Sequence, residues 1–303
     1  MRSPFAYTPR PGPLQAASPG AAVAYLGALT AVAFLYASPL VLAAAGVAAT
    51  IAGLLAGART AVLAATHVFF EAPMQEPGNE ALFARLEALG MHAIACHDQP
   101  DAGIWEYRGR ARVHTSSSLM CWAACDRLAK IAQALQQPAR VAFWRERAEL
   151  IRARILEAAW NEQCQAFVES FGGRDLDASV LLMAEVGFLP ATDPRFMRTV
   201  DALERTLCDG HFMRRYEAPD DFGRPETAFN VCAFWRVDAL ARTGRRAEAR
   251  EAFEALLARR NHVGLLSEDL DPKDGGELWG NFPQTYSMVG IINGAMQLSA
   301  PWA

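Results

Sequence analysis

The sequence predicts an all-α protein, with amphipathic helices in pairs forming an α/α toroid or helical repeat behind a hydrophobic helical hairpin. Three observations lead there. After about Thr60, apolar residues recur at helical spacing in segment after segment, and no segment sustains the period-2 alternation of a strand. The loops between those segments are rich in Gly, Asp, Trp and Glu, as links between paired helices. Before Thr60 the texture is different, with no charged residue from Ala21 to Ala58.

The uncharged run sets the first domain, residues 1–60. Ser38-Pro39 divides it into halves of roughly 17 and 20 residues, each about long enough to cross a hydrocarbon core. Proline disfavours helix at the residue before it, so a break falls there. The run is too long for a signal peptide. Arg2 and Arg10 precede it and Arg59 follows it. Positive charge on both flanks favours a hairpin with both ends in the cytoplasm, tethering the rest of the chain to the inner face of the membrane. A buried pair of Ala-rich helices in a soluble protein is the alternative, and the lack of any polar face argues against it. The stretch through Ser38-Pro39-Leu40 weakly resembles the amino-terminal end of the transmembrane component of energy-coupling-factor transporters. A transporter fragment is therefore one reading of this chain.

Residues 61–303 form the second domain. Helices are expected over 61–71, 79–97, 116–136, 138–160, 177–187, 194–208, 226–243, 246–260 and 284–299. Ser116 or Ser117 is placed to cap the third, and Asp193-Pro194 supplies a cap followed by proline in the first turn. Gly244 ends one helix just before the next begins. In the segment MCWAACDRLAKI, Met120, Trp122, Cys125, Leu128 and Ile131 fall on one face and read as core. No fixed sequence period marks a textual repeat.

Composition excludes several function classes. The chain has 303 residues, 52% of them hydrophobic, and a net charge of -4. Its 29 basic residues are nearly all arginine and are dispersed, so no basic face for nucleic acid is expected. None of the six cysteines forms a CxxC pair, and the six histidines are scattered without HExxH. The cysteines read as buried reduced thiols, suiting a cytoplasmic compartment. Neither a metal site nor a cofactor is expected.

Three loops carry the chemistry. The first, DAGIWEYRG, sets Glu106 between Trp105 and Tyr107. The second, RRYEAPDDFGRPETAFN, runs from residue 214 to residue 230. The third, GLLSEDLDPKDGGELWGNFPQTYS, contains Glu268. Each mixes carboxylates with aromatic rings just outside helix ends. A sugar site needs that mixture, since flat rings cover a pyranose face while carboxylates and arginine bind its hydroxyls. Glycoside hydrolysis needs two carboxyl groups, one protonated to donate to the leaving oxygen and one ionised to activate water. Aromatic neighbours would desolvate Glu106 and favour its neutral form, while Glu268 lies in the polar run SEDLD. Composition alone leaves plainer readings open, an exposed loop glutamate for Glu106 and a helix-flanking acid for Glu268.

From about Ala61 to Ala303 the chain resembles glycoside hydrolase family 15, the glucoamylase family, particularly its bacterial trehalase-like branch. The matching motifs are DAGIWEYRG, MCWAACDRLAKIA, FVESFGG with DLDASVLL, ETAFNVCAFW, ARRNHVGLLSEDLDP and GNFPQTYSMVGIINGA, in the family's order and spacing. The resemblance implies an (α/α)6 barrel that hydrolyses α-glucosidic bonds at a non-reducing end, with inversion and without a metal cofactor. It implies Glu106 as general acid and Glu268 as general base. It places Arg215, Tyr216 and Asp221 among glucose-binding residues, with Trp105 and Trp279 as walls of the pocket. For Trp279, plain packing is an equal reading.

The chain departs from the family in two places. His114-Thr115-Ser116-Ser117 stands where the family writes HTFS. Nothing before Ala61 resembles the family's Trp-Asp-Tyr-Arg motif or its Arg-Asp pair, and about nine helices are expected where a closed barrel needs twelve. The expected architecture is therefore an incomplete (α/α)6 barrel. Uncovered apolar faces would favour self-association or a partner. Losing part of the grip on glucose would cost rate. A working α-glucoside hydrolase and a truncated or fused relative without activity are both compatible with this reading.

Overall fold

Alternate helices of the chain fall into two layers. A computed structural model describes residues 80–220, 223–273 and 276–299. The hairpin expected over 21–58, the helix expected over 61–71 and Asp221 lie outside the described residues. Helix α1 (Glu80–Cys96) packs on α2 (Thr115–Ala134), which pairs with α3 (Pro138–Ala158). Next come a 3-10 turn (Ala178–Leu181) running into the short α4 (Leu182–Glu185), then α5 (Pro194–Leu207). Helix α6 (Asn230–Arg242), α7 (Arg246–Ala258) and α8 (Thr285–Leu298) complete the series. One row consists of α2, the 3-10 turn with α4, α6 and α8. Behind it, α3 packs on α2, α5 on the 3-10 turn and α6, and α7 on α6 and α8.

Sequence explains most of these elements. In α5 the buried residues Phe196, Val200, Leu203 and Leu207 recur at three- and four-residue intervals, which gives one apolar face. The Asp193 side chain accepts from the Arg195 N–H, and Pro194 occupies the first turn, as expected. Gly244 takes a left-handed φ of 88° between α6 and α7, so the hairpin closes in three residues. Glycines also let α8 approach its neighbours, because a Cβ on Gly290 would collide with the Phe234 ring and one on Gly294 with the Phe253 ring. Between α5, α6 and α7, Glu204 accepts from Arg236 at 2.7 Å and from Arg245 at 2.6 Å.

Three expectations are corrected. Neither Ser116 nor Ser117 caps α2, since the helix begins at Thr115 with His114 as the cap residue, whose side chain makes no capping bond. Nearby hydroxyls serve tertiary contacts instead: Thr115 donates to the Val168 carbonyl at 2.7 Å and Ser118 to the His97 carbonyl at 2.5 Å. The core face of α2 runs through Leu119, Trp122, Cys125 and Leu128, whereas Met120 is 43% exposed; the apolar stripe begins one residue earlier than expected. All six cysteines are free, but only Cys125 and Cys232 are fully buried. Burial pushes the thiols of Cys121, Cys125 and Cys208 up to about 11.

Strands are present but only two residues long, too short to leave an alternation in the sequence. The strands β1 (Trp160–Asn161) and β2 (Ala166–Phe167) pair with each other, as do β3 (Cys208–Asp209) and β4 (Phe212–Met213), in both cases antiparallel. A third sheet orders β5 (Ala228–Phe229), β6 (Asp269–Leu270) and β7 (Leu278–Trp279). Residue Phe229 faces Asp269, which faces Trp279. This sheet and the loops before α2, the 3-10 turn, α6 and α8 lie at the N-terminal ends of one row of helices.

Candidate active site

The first loop is built as a tight turn. The Tyr107 N–H donates to the Ala102 carbonyl at 2.9 Å and the Glu106 N–H to the Gly103 carbonyl at 3.1 Å. Gly103 has a φ of 69°, and a Cβ there would lie 2.9 Å from the His114 ring. Glu106 itself has a φ of 54°, an uncommon conformation for a residue with a side chain. Asp101 and Arg112 close the loop by exchanging backbone hydrogen bonds at 2.9 and 3.1 Å.

This turn sends Trp105 and Tyr107 inward and leaves Glu106 exposed. The expected packing of the Glu106 carboxyl among rings is thereby corrected: its neighbours point away from it into the protein. The Trp105 ring meets Phe229 edge-on at 5.5 Å and lies 6.1 Å from both Tyr216 and Trp235. Its indole N–H donates to Oδ2 of Asp177 at 2.7 Å. Tyr107 is stacked on His114 at 5.6 Å, with the Arg110 guanidinium 4.1 Å from its ring centre.

A buried carboxylate anchors the far end of the loop. Glu169 is 4% exposed and accepts from Arg110 at 2.9 Å and Arg112 at 3.3 Å, with His114 Nδ1 also 3.3 Å away. Burial pushes this carboxyl up, but the His114 hydrogen bond and the Arg110 and Arg112 charges outweigh it and hold it below the usual range. Three buried polar atoms around this cluster lack protein partners: the Tyr107 hydroxyl, Arg110 Nε and His114 Nε2.

The second loop supplies Arg215 and Tyr216. The Tyr216 ring is buried, and its hydroxyl donates to Oδ2 of Asp220 at 2.5 Å. Arg215 lies over both the Tyr216 and Phe229 rings, at 5.4 and 5.1 Å, a cation-π arrangement.

Glu268 comes from the third loop, immediately before β6. The Asn230 N–H donates to its carbonyl at 2.9 Å, and its own N–H donates to the Asn281 carbonyl at 2.9 Å. Its side-chain Oε2 accepts from Asn281 N–H at 3.2 Å and from Asn281 Nδ2 at 2.9 Å, which orients the carboxylate. A Cβ on Gly280, where φ is 76°, would lie 2.9 Å from the same oxygen. Next to it, Asp269 is pushed up to about 6 by burial; the Glu268 charge adds to the shift and Arg215 opposes it. Trp279, in β7 beside Asp269, is 53% exposed.

The structure thus gathers Trp105, Arg215 and Tyr216 into one aromatic cluster. Phe229 ties that cluster to the Glu268 segment, since its ring touches Trp105 and the next residue, Asn230, holds the Glu268 backbone. Trp279 lies at the open edge of the sheet. Sequence reading passed over Asp177, Glu169, Phe229, Trp235 and Asn281. Asp177 and Asn281 fall in segments singled out as motifs, DLDASVLL and GNFPQTYS, but their bonds to Trp105 and Glu268 are tertiary. Among the described residues, no group of three or more His, Cys, Asp or Glu side chains is placed to hold a metal ion.

The described helices form two layers, with the carboxylate-bearing loops at the N-terminal ends of one row. Residues 85–296 match the profile of the glycosyl hydrolases family 15, and the chain belongs to that family. It is 34% identical over 220 residues to a trehalase of Thermoplasma volcanium, a match covering 72% of this chain and 34% of the relative. It is 35% identical over 233 residues to a trehalase of Mycobacterium tuberculosis, covering 76% and 34%. The matched region thus spans about a third of the length of these relatives. Its fold is similar to that of a bacterial glucoamylase solved with acarbose, with a TM-score of 0.58 at 14% identity, over 72% of this chain and 38% of that one.

Proposed function

We propose that this chain supplies the acid and base loops of an inverting α-glucoside hydrolase, with trehalose as the first substrate to test. The observation that carries the reading is the Trp105–Phe229 contact, which joins the Glu106 loop to the segment holding Glu268. The trehalase relatives at 34% and 35% identity support the substrate choice. In this reading the Glu106 carboxylic acid donates its proton to the glycosidic oxygen as the bond from that oxygen to the anomeric carbon breaks. Glu268 takes a proton from a water whose oxygen bonds to the opposite face of that carbon. The attacked glucose unit is then released as the β-anomer, and from trehalose the leaving glucose departs with its α configuration intact. Glu106 is open to solvent without substrate, and a sugar seated against it excludes that water, since catalytic contacts often tighten only on binding. Arg215, Tyr216 and Trp105 bind the glucose unit, with Trp279 at the rim, and Asp221, outside the described residues, is a further candidate from the family resemblance. Neither a cofactor nor nucleic acid has a part in this reading.

The test is glucose release by the purified full chain from trehalose, isomaltose, maltose and soluble starch. Glu268→Gln and Glu106→Gln should each lower release by roughly 100-fold or more, the usual contribution of a positioned acid or base. Proton NMR of the anomeric signals should show α- and β-glucose released from trehalose in equal amounts before mutarotation, where retention would give the α-anomer alone. A folded chain that releases no more glucose than its Glu268→Gln variant would overturn the enzyme reading in favour of a family member without activity.

A further inference from the structure

We propose that Asp177 is a positioning residue for the acid loop, its carboxylate clamping the Trp105 indole and so holding the left-handed turn that presents Glu106. The inference rests on the assignment of Glu106 as the acid, although the clamp itself has a readout independent of activity.

Asp177 touches three segments of the site at once. Its Oδ1 accepts from the Ser179 N–H at 2.8 Å, capping the 3-10 turn, and its Oδ2 accepts from the Trp105 indole at 2.7 Å. Its backbone bridges to Tyr216, and the next residue, Ala178, donates to the Arg215 carbonyl at 2.9 Å. Capping alone does not call for this residue. Serine, threonine or asparagine satisfies the start of a helix about as well, and one acceptor oxygen is enough. Asp177 is 1% exposed, and burial pushes its carboxyl up to about 6, a penalty that an uncharged cap would avoid. What uses the second oxygen is an indole 72 positions away in the chain.

The Trp105 ring needs that bond for direction. Phe229, Tyr216 and Trp235 surround it with aromatic contacts, which several ring orientations can satisfy, whereas the N–H···O bond fixes which edge of the indole faces Asp177. Glu106 is next in sequence and takes a φ of 54°, which persists only where the surroundings impose it. Trp105 holds one side of that residue and buried Tyr107 the other. If the indole swings free, Glu106 can relax to an ordinary backbone conformation and carry its carboxyl elsewhere.

The experiment compares Asp177→Asn, Trp105→Phe and the double variant with wild type. Asparagine keeps an acceptor for the Ser179 amide but turns its NH2 toward the indole. In 15N-correlated NMR spectra, loss of a signal in Trp105→Phe assigns the indole, and selective glutamate labelling with Glu106→Gln assigns the Glu106 amide. Asp177→Asn should shift both signals and leave the other indoles in place, and Trp105→Phe should shift the Glu106 amide as well. On trehalose, kcat should fall at least about tenfold in each single variant, and in Asp177→Asn, which does not touch the sugar, KM should change far less. The double variant should be no slower than the slower single one, as for residues acting through one contact. An unmoved Glu106 amide in Asp177→Asn, or losses that multiply in the double variant, would overturn the clamp. If Asp177→Asn does not fold, an unshifted Glu106 amide in Trp105→Phe overturns it equally. Should wild type hydrolyse none of the glucosides, the enzyme reading fails and the NMR signals alone decide the clamp.

Discussion

Asp269 shows how a single half-buried carboxyl sets a pH dependence beside the proposed base. Its Oδ1 is buried without a partner, and burial raises it from 3.8 to about 6. An acid raised in the folded state favours the fold while protonated. That stabilisation is complete below pH 4 and is lost as the pH rises through about 6. Glu169 runs the other way, because its lowered carboxyl stabilises the fold when ionised and loses that contribution as the pH falls. The Asp269→Asn variant isolates the first effect. Between pH 4 and pH 7 its stability should gain on wild type by about 1–2 kcal/mol, a value discounted for partial exposure. Urea unfolding at the two pH values measures this, and equal gaps at both would show that Asp269 is not perturbed. At this scale the sequence was informative about identity and weak about environment. Trp105, Glu106 and Glu268 were legible because they lie in short local motifs. The exposure of Glu106 was not, because the turn that points its neighbours inward depends on a backbone φ no composition reveals.

Secondary structure elements were legible wherever apolar periodicity is long. Helix α5 begins at its expected proline, and α3 and α7 begin at their expected first residues. Misjudged boundaries have tertiary causes. Helix α6 starts at Asn230 rather than 226, because Ala228 and Phe229 pair with β6. The expected helix over 177–187 breaks into a 3-10 turn and one α-helical turn, held by Asp177 at its start. Contacts between elements are the part that sequence hides, and Gly290 is an instance. Its missing side chain lets α8 lie against Phe234 of α6. Alanine is the better helix former by about 0.5–1 kcal/mol, so local propensity alone predicts that Gly290→Ala stabilises. The close contact predicts the reverse, a loss of about 1–3 kcal/mol from overpacking. Ile292, on the same helix and 59% exposed, should tolerate alanine within about 0.5 kcal/mol. Thermal unfolding of the two variants separates the effects, and a Gly290→Ala protein as stable as wild type would refute the close packing.

At the scale of the whole molecule, two textures of sequence call for two kinds of surroundings. Among the described residues no helix is long and apolar enough to cross a membrane. The uncharged run from Ala21 to Ala58 is the segment with that composition, and it lies outside the described residues. We propose that it tethers the chain to the inner face of the cell membrane. An arginine near the middle of a spanning segment costs about 2.5–3.5 kcal/mol. Leu29→Arg and Ala48→Arg place one such charge near the middle of each half. Wild-type chain should sediment with membranes and remain there through an alkaline carbonate wash. The double variant should leave the membrane fraction. If the run is instead packed inside a soluble protein, wild type stays in the supernatant, and the two arginines unfold or aggregate the chain rather than release it. Both proteins must therefore be followed in supernatant, washed membrane and detergent-insoluble fractions. A wild-type chain found wholly in the supernatant sinks the tether, because a hairpin of two apolar spans would not leave the bilayer for water.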